Sequence, residues 1–252
     1  MPSKEYQPGY SGLHPETTYD FHSRERKART MLAVLADRFE GRLSDLHVLD
    51  TGVSTGIIAN TLAEQVGRVT GLDIDDTAVA FARRTFQRPN LHFLVGDSLA
   101  VPCPPATFDV AICTHVYEHV PNADRLPMEI HRVLKPGGWC YFAAGNRLNI
   151  MEPHYGLPFL SWLPRPLAHR YLRLAGQGDY YYEKHLTLAG LRRLTAAFRC
   201  TDYTRKIIAN PAAFHAEYML PSNSLKTRLA SLVAGRAFWL MPSYIWMLQK
   251  RK

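Results

Sequence analysis

The chain has 252 residues, 46% of them hydrophobic and 21% charged, which is ordinary for a soluble globular protein longer than one minimal domain and short of two full ones. Four scattered cysteines (Cys103, Cys113, Cys140 and Cys200), no apolar stretch long enough to span a bilayer and no signal-peptide core in residues 1–10 argue against a disulfide framework, a cysteine zinc site and secretion, and make the cytoplasm the expected location. Thirty basic against 22 acidic residues leave a net charge of +8, which favours an anionic partner (a phosphorylated substrate, nucleic acid or an anionic membrane face) or is no more than a basic solvated surface.

Residues 1–22, rich in Pro, Gly, Tyr and His, read as a loose arm. Charges cluster from Ser23, and Met31, Leu32, Leu35 and Phe39 then recur with helical spacing, which predicts a helix leading into the fold. The apolar run 46–49 ends in Asp50. A loop with Gly52 and Gly56 follows, and then a helical segment, 57–66. Strand, glycine loop and helix is the nucleotide-cradling unit of doubly wound folds, because glycine lets the backbone approach a ligand closely; an ordinary βα turn reads the same way. A second strand from Val69 ends in Asp73-Ile74-Asp75. A helix over 75–86, with Asp76 as cap, leads to a third strand, 91–95, which runs into Gly96-Asp97-Ser98. A fourth strand, 108–113, continues into Thr114-His115-Val116-Tyr117-Glu118-His119-Val120-Pro121. A helix over 122–133 stops at Lys135-Pro136-Gly137-Gly138, ahead of a fifth strand, 139–144.

Taken in this order, the motifs resemble the class I S-adenosylmethionine-dependent methyltransferases over residues 45–146, and most closely the quinone-biosynthesis branch. The resemblance implies an α/β, doubly wound, Rossmann-like fold with a seven-stranded sheet whose last strand is antiparallel. It implies S-adenosyl-L-methionine as cofactor. The donor's carboxylate would meet the loop of Gly52, Ser54 and Gly56, and Asp50 would organise that loop and the donor's amino group. Asp73, with Ile74 beside it, would take the ribose hydroxyls, Asp97 and the Ser98 amide the adenine, and Thr114 and His115 the methionine portion. Each acid alone also looks like a surface carboxylate at a strand end; their joint spacing favours the cofactor role for Asp73 and Asp97. The chain departs from the family twice: Ser54 stands where a glycine is usual, and His115 where an acid is frequent. In such enzymes an N-terminal segment closes over the cofactor, which makes Tyr19 and His22 lid candidates beside plain helix packing.

The resemblance divides the chain into an arm and lid helix (1–44), a cofactor-binding core (45–146), a helical, aromatic-rich cap insertion (147–186) and the rest of the core (187–252) with a second insertion at about 210–237. Helical spacing at Leu188, Leu191, Leu194 and Phe198, a strand over 203–209 and an amphipathic helix near 225–233 fill the last part. The end, 238–248, suits either a final strand buried on both faces or an interfacial membrane anchor beside a basic tail. Pro242 favours the strand, with at most a weak peripheral membrane contact.

Methyl transfer needs donor and acceptor in line and water excluded. For a hydroxyl acceptor a base is useful, and His119, then His154 and His185, are the candidates, with a structural role for His119 as the alternative. Cap aromatics such as Tyr155, Phe159 and Trp162 enclose an acceptor or form the cap's own core. The pattern His115-x-x-Glu118-His119 also matches an inverted zinc-protease motif, but it begins at a strand end and runs into Val120-Pro121, so no metal is expected from it. The expected function is methyl transfer to a small-molecule or lipid-linked acceptor, with oxygen favoured. A non-catalytic methyltransferase-like module and a nucleic-acid methyltransferase are the alternatives; the latter lacks an Asn-Pro-Pro-Tyr-type motif and any added nucleic-acid module. A nicotinamide-dependent oxidoreductase fits less well, since Ser54 and Ile57 break Gly-x-Gly-x-x-Gly.

Overall fold

The computed structural model describes residues 9–13 and 15–251; the expectation of a loose arm falls in part on residues 1–8, outside the described residues. The apolar runs bounded by loops become strands β1 (His47–Thr51), β2 (Arg68–Asp73), β3 (Leu91–Val95), β4 (Phe108–Thr114) and β5 (Leu134–Gly145). A short hairpin, β6 (Met151–Glu152) with β7 (Leu157–Pro158), follows, and then β8 (Phe198–Asp202) and β9 (Ser243–Lys250). The main sheet has seven strands in the order β3-β2-β1-β4-β5-β9-β8, and β9 runs antiparallel to both neighbours. Thr51, at the end of β1, lies opposite Leu72 of β2 and Cys113 of β4. The loops after these strands therefore open on one edge, at the point where the strand order reverses, which is where doubly wound sheets bind ligands.

The helices are α1 (Tyr10–Leu13), α2 (Pro15–Thr18), α3 (Phe21–Phe39), α4 (Ile57–Leu62), α5 (Asp76–Thr85), α6 (Arg125–Val133), α7 (Arg165–Leu174), α8 (Leu188–Leu194), α9 (Thr204–Ala209) and α10 (Leu225–Arg236). They cover both faces of the sheet, and strand alternation sorts the core accordingly. Val48, Val110 and Tyr141 pack with Met31, Leu32 and Leu35 of α3, while Leu49, Ala111, Cys140 and Phe142 pack with Leu126 and Ile130 of α6 and Leu191 of α8. In the stretch 147–186, Leu160, Ala168, Leu172 and Tyr181 form a small separate cluster with Tyr155 packed against it.

Several sequence expectations are corrected. The strand expected over 203–209 is α9, and the strand is β8, one segment earlier: Asp202 Oδ1 accepts the Thr204 N–H at 3.0 Å and starts the helix. Phe198 accordingly begins β8 instead of ending α8, which stops at Leu194. The cap of α5 is Asp75, whose Oδ1 accepts the Ala78 N–H at 3.1 Å; Asp76 is the first helical residue. Helix α4 ends at Leu62 and α6 begins at Arg125. Within the expected arm, residues 10–13 and 15–18 are helical turns. Helix α10 does not present a clean apolar face to the core, because Leu225, Leu229 and Leu232 are exposed while Ala234 is buried. At the end of the chain 238–240 is a 3-10 turn, and β9 buries Tyr244, Trp246, Met247 and Leu248, the burial that a strand and not an anchor requires.

Candidate active site

The loop after β1 carries three left-handed residues, Gly52 (φ 72°), Ser54 (φ 53°) and Gly56 (φ 78°). A Cβ on Gly52 would meet Val116 Cγ2 at 2.8 Å, and one on Gly56 would meet Ala82 Cβ at 2.7 Å, so both positions need glycine for space as well as for conformation. Ser54 takes the same backbone region with a side chain. Its N–H donates to Asp73 Oδ2 at 2.7 Å, and the Asp75 N–H donates to Asp73 Oδ1 at 2.9 Å. Each Asp73 oxygen keeps a further lone pair for a ligand hydroxyl. Burial holds the Asp73 carboxyl above its ordinary range, against the pull of these amides. Asp50, 3% exposed, is pushed up to about 7 by burial and then by Asp73, while Arg24 acts in the opposite direction. Asp97, half-buried, accepts the Leu99 N–H on Oδ1 at 2.8 Å, with Ser98 buried beside it. Ile74 is exposed at the end of β2, and Thr114 is half-buried at the end of β4. His115 is left-handed (φ 55°), donates its N–H to Ala143 O at 2.9 Å and points Nδ1 at Glu118 Oε1, 3.1 Å away.

The N-terminal helices cover this edge. The Ser11 N–H donates to Asp75 Oδ2 at 2.9 Å, Thr55 Oγ1 donates to Thr18 O at 2.7 Å, and the Tyr10 ring stands edge-on to His119 with centroids 5.2 Å apart. Tyr10, Ser11 and Thr18 thus make the contacts between the N-terminal segment and this edge. Of the residues expected there, Tyr19 packs edge-on against Phe81, and His22 is exposed at the start of α3. Arg24 was missed by sequence reasoning. It sits one turn into α3, its Nε donates to Thr17 O at 3.1 Å, burial lowers its pKa, and the charges of Asp50 and Asp73 counter that effect. Its one signal was membership of the charge cluster that begins at Ser23.

Beside this edge of the sheet, three segments meet. Tyr117 Oη donates to Gly145 O at 2.7 Å and accepts the Leu186 N–H at 3.2 Å, and the Lys184 N–H donates to Glu118 O at 3.0 Å. These bonds clamp residues 183–186 against the loop after β4 and the end of β5. The three histidines are brought together by this arrangement: the rings of His119 and His154 are 5.0 Å apart, and those of His154 and His185 5.8 Å apart and stacked. Glu152 Oε1 accepts from His154 Nδ1 at 2.7 Å and from His185 Nε2 at 3.1 Å, while Oε2 accepts the backbone N–H groups of His154 and Tyr155. Burial opposes ionisation of Glu152, but the two histidines outweigh it and draw the carboxyl down to about 2. Glu118 also falls to about 2, burial being outweighed by His115. Burial lowers His119 to about 4, leaving it neutral at neutral pH; His154 is raised, because its bond to Glu152 outweighs its burial. Sequence reasoning did not single out Glu152 or Glu183. Each is a lone glutamate among aromatics, and no periodicity or spacing marks it.

Comparison with known proteins agrees with this geometry. A family described as "Methyltransferase domain" matches residues 49–142. The ubiquinone biosynthesis O-methyltransferase of Albidiferax ferrireducens is 33% identical over 139 residues, 51% of this chain and 53% of that protein. The enzyme of the same name from Paraburkholderia phymatum is 32% identical over 176 residues, 67% of this chain and 71% of that protein. Among solved structures, an S-adenosylmethionine-dependent methyltransferase from Mesorhizobium loti aligns with a TM-score of 0.53 at 18% identity, over 81% of this chain and 91% of that one. The chain belongs to the class I S-adenosylmethionine-dependent methyltransferases. It matches only 53%, 61% and 63% of the lengths of the first curated relatives.

Proposed function

We propose that this protein uses S-adenosyl-L-methionine to methylate a hydroxyl of a small or lipid-linked molecule. One observation supports the reading: the loop after β4 runs from the edge that carries Asp50 and Asp73 to the buried histidine cluster, so a donor bound at the acids and the candidate proton acceptors would be neighbours. Asp73 would hold the ribose through its outer lone pairs, Asp97 and Ser98 the adenine, and Asp50 the donor's ammonium, with Arg24 placed for its carboxylate. In the reaction the acceptor oxygen forms the new bond to the methyl carbon. The carbon–sulfur bond breaks with its electron pair on sulfur, and the hydroxyl proton passes to an imidazole of the cluster. His119, neutral and facing Tyr10 of the lid, is the first receiver, with His154 and His185 behind it. Four free cysteines fit a reducing, cytoplasmic setting. A lipid-linked acceptor is supported by the outer side of the β6–β7 hairpin, which exposes Ile150, Met151, Phe159 and Trp162. Among the described residues no helix is long and apolar enough to cross a membrane, so any bilayer contact of this helical framework would be peripheral.

The test is calorimetric titration of the full chain with S-adenosylhomocysteine and, in parallel, with NAD. Binding of the first and not the second is expected, and Asp73→Ala should weaken it by about 1–3 kcal/mol through loss of two charge-assisted hydrogen bonds. A folded variant with undiminished affinity would remove Asp73 from the cofactor site. Preference for NAD would overturn the reading.

A further inference from the structure

Glu183 stands out in the buried cluster. Its side chain is fully buried and neither carboxylate oxygen makes a well-formed hydrogen bond with a described residue; the Tyr155 hydroxyl lies near it, and the cationic candidate beside it, His119 Nδ1, is 3.9 Å away. A buried polar group left poorly matched is destabilising, and more so if it is charged. Glu118 Oε2 is likewise buried without a hydrogen-bond partner among the described residues, so three carboxylates, Glu118, Glu152 and Glu183, lie beside the histidines, and their ion-pair partners are imidazoles. One ligand atom from each of His119, His154 and Glu183 lies within 4.8 Å of the other two. Glu152 fixes His154 through Nδ1 and leaves its Nε2 to ligate, the carboxylate–histidine support typical of metal ligands.

We infer that His119, His154 and Glu183 bind one divalent transition-metal ion, of the zinc type, beside the acceptor position. Two histidines and one carboxylate are the donor set of an open, hydrolytic-type zinc site, in which the fourth position is kept for water or substrate. Bonds of about 2.0–2.2 Å to a tetrahedral ion set ligand atoms about 3.4 Å apart, so small side-chain rotations would close the present spacing. The inference rests on the methyltransferase reading for its role: an acceptor oxygen entering the open position would be fixed and made easier to ionise, and with the ion bound His119 and His154 would serve as ligands, so that the part of proton receiver would pass from His119 to His185, the imidazole outside the ion's ligand set. It narrows the acceptor to molecules that present a metal-binding oxygen, such as a phenol or an enol.

The experiment strips the full chain with a chelator and titrates it calorimetrically with zinc chloride, with cobalt(II) absorption as a second readout of the coordination geometry. One ion per chain is expected, with a tetrahedral cobalt spectrum, and Glu183→Gln should lose at least tenfold in affinity and lose that spectrum. His154→Gln provides a second variant should the first not fold. Failure of the folded wild-type chain to bind either ion, or equal binding by a folded Glu183→Gln variant, would overturn the site. Titrating the same preparations with S-adenosylhomocysteine separates the two ideas. Nucleoside binding without zinc binding removes the metal and leaves the methyltransferase reading, and zinc binding without nucleoside binding does the reverse.

Discussion

Ser54 shows how a single residue tunes the loop after β1. Its left-handed backbone costs about 1–2 kcal/mol for a residue with a Cβ, whereas glycine's greater freedom in the unfolded chain is worth only about 0.4–1 kcal/mol in the other direction. The strain term is the larger, so Ser54→Gly should raise unfolding stability by up to about 1 kcal/mol, read from urea midpoints; a lower midpoint would mean that the serine side chain makes a contact outweighing its strain. Asp50 gives the loop a pH dependence. Its carboxyl sits at about 7 because of burial and then Asp73, with Arg24 opposing, against about 3.9 in the unfolded chain. A carboxyl raised on folding contributes stability that is complete below pH about 4 and is lost as the pH rises to about 7. The ionised form is the one that attracts the donor's ammonium, so S-adenosylhomocysteine affinity should rise about tenfold from pH about 6 to about 8, and Asp50→Asn should flatten the profile. A flat wild-type profile would take Asp50 out of the cofactor's surroundings.

Among the elements, β9 carries the greatest structural burden. It pairs with β5 from Trp139↔Gln249 to Gly145↔Ser243, and with β8 from Phe198↔Lys250 to Asp202↔Trp246, and it buries Tyr244 and Trp246. Removing residues 243–252 strips both neighbours of their hydrogen bonds and opens the core, so the truncated chain should show no cooperative thermal transition. A truncated chain that still melts cooperatively, and is merely lost from a membrane fraction, would restore the anchor reading. This strand was legible in the sequence because Pro242 bars a helix and the aromatics beyond it form a continuous run. Strand β8 was not: Phe198-Arg199-Cys200-Thr201-Asp202 is a mostly polar edge strand, exposed at Arg199 and Cys200, whereas Ile207 and Ile208 in α9 gave the stronger apolar signal. Edge position weakens the pattern that sequence reading depends on.

At the scale of the whole molecule, the parallel half of the sheet was readable because β1, β2 and β4 are buried almost throughout and β1, β2 and β3 each end at or beside an acidic marker, Asp50, Asp73 or Asp97. The second half of the site is built differently. His119, His154 and His185 come from distant segments, and they meet one another and the carboxylates of Glu118, Glu152 and Glu183 only when the Tyr117 and Lys184 hydrogen bonds draw those segments together. No local pattern encodes such a meeting. The place of β9 also has a consequence for how the protein is made. Synthesis delivers β1 to β5 first, but the free edge of β5, with Tyr141, Phe142 and Ala143, waits for a partner that begins only at Ser243. At about 5–20 residues per second on the ribosome, that wait is roughly 5–20 s, during which an apolar strand edge is open to any neighbouring nascent chain. Yield in the cell should therefore be governed less by the stability of the finished fold than by how well that interval is bridged, through slow translation spacing or a chaperone holding the edge.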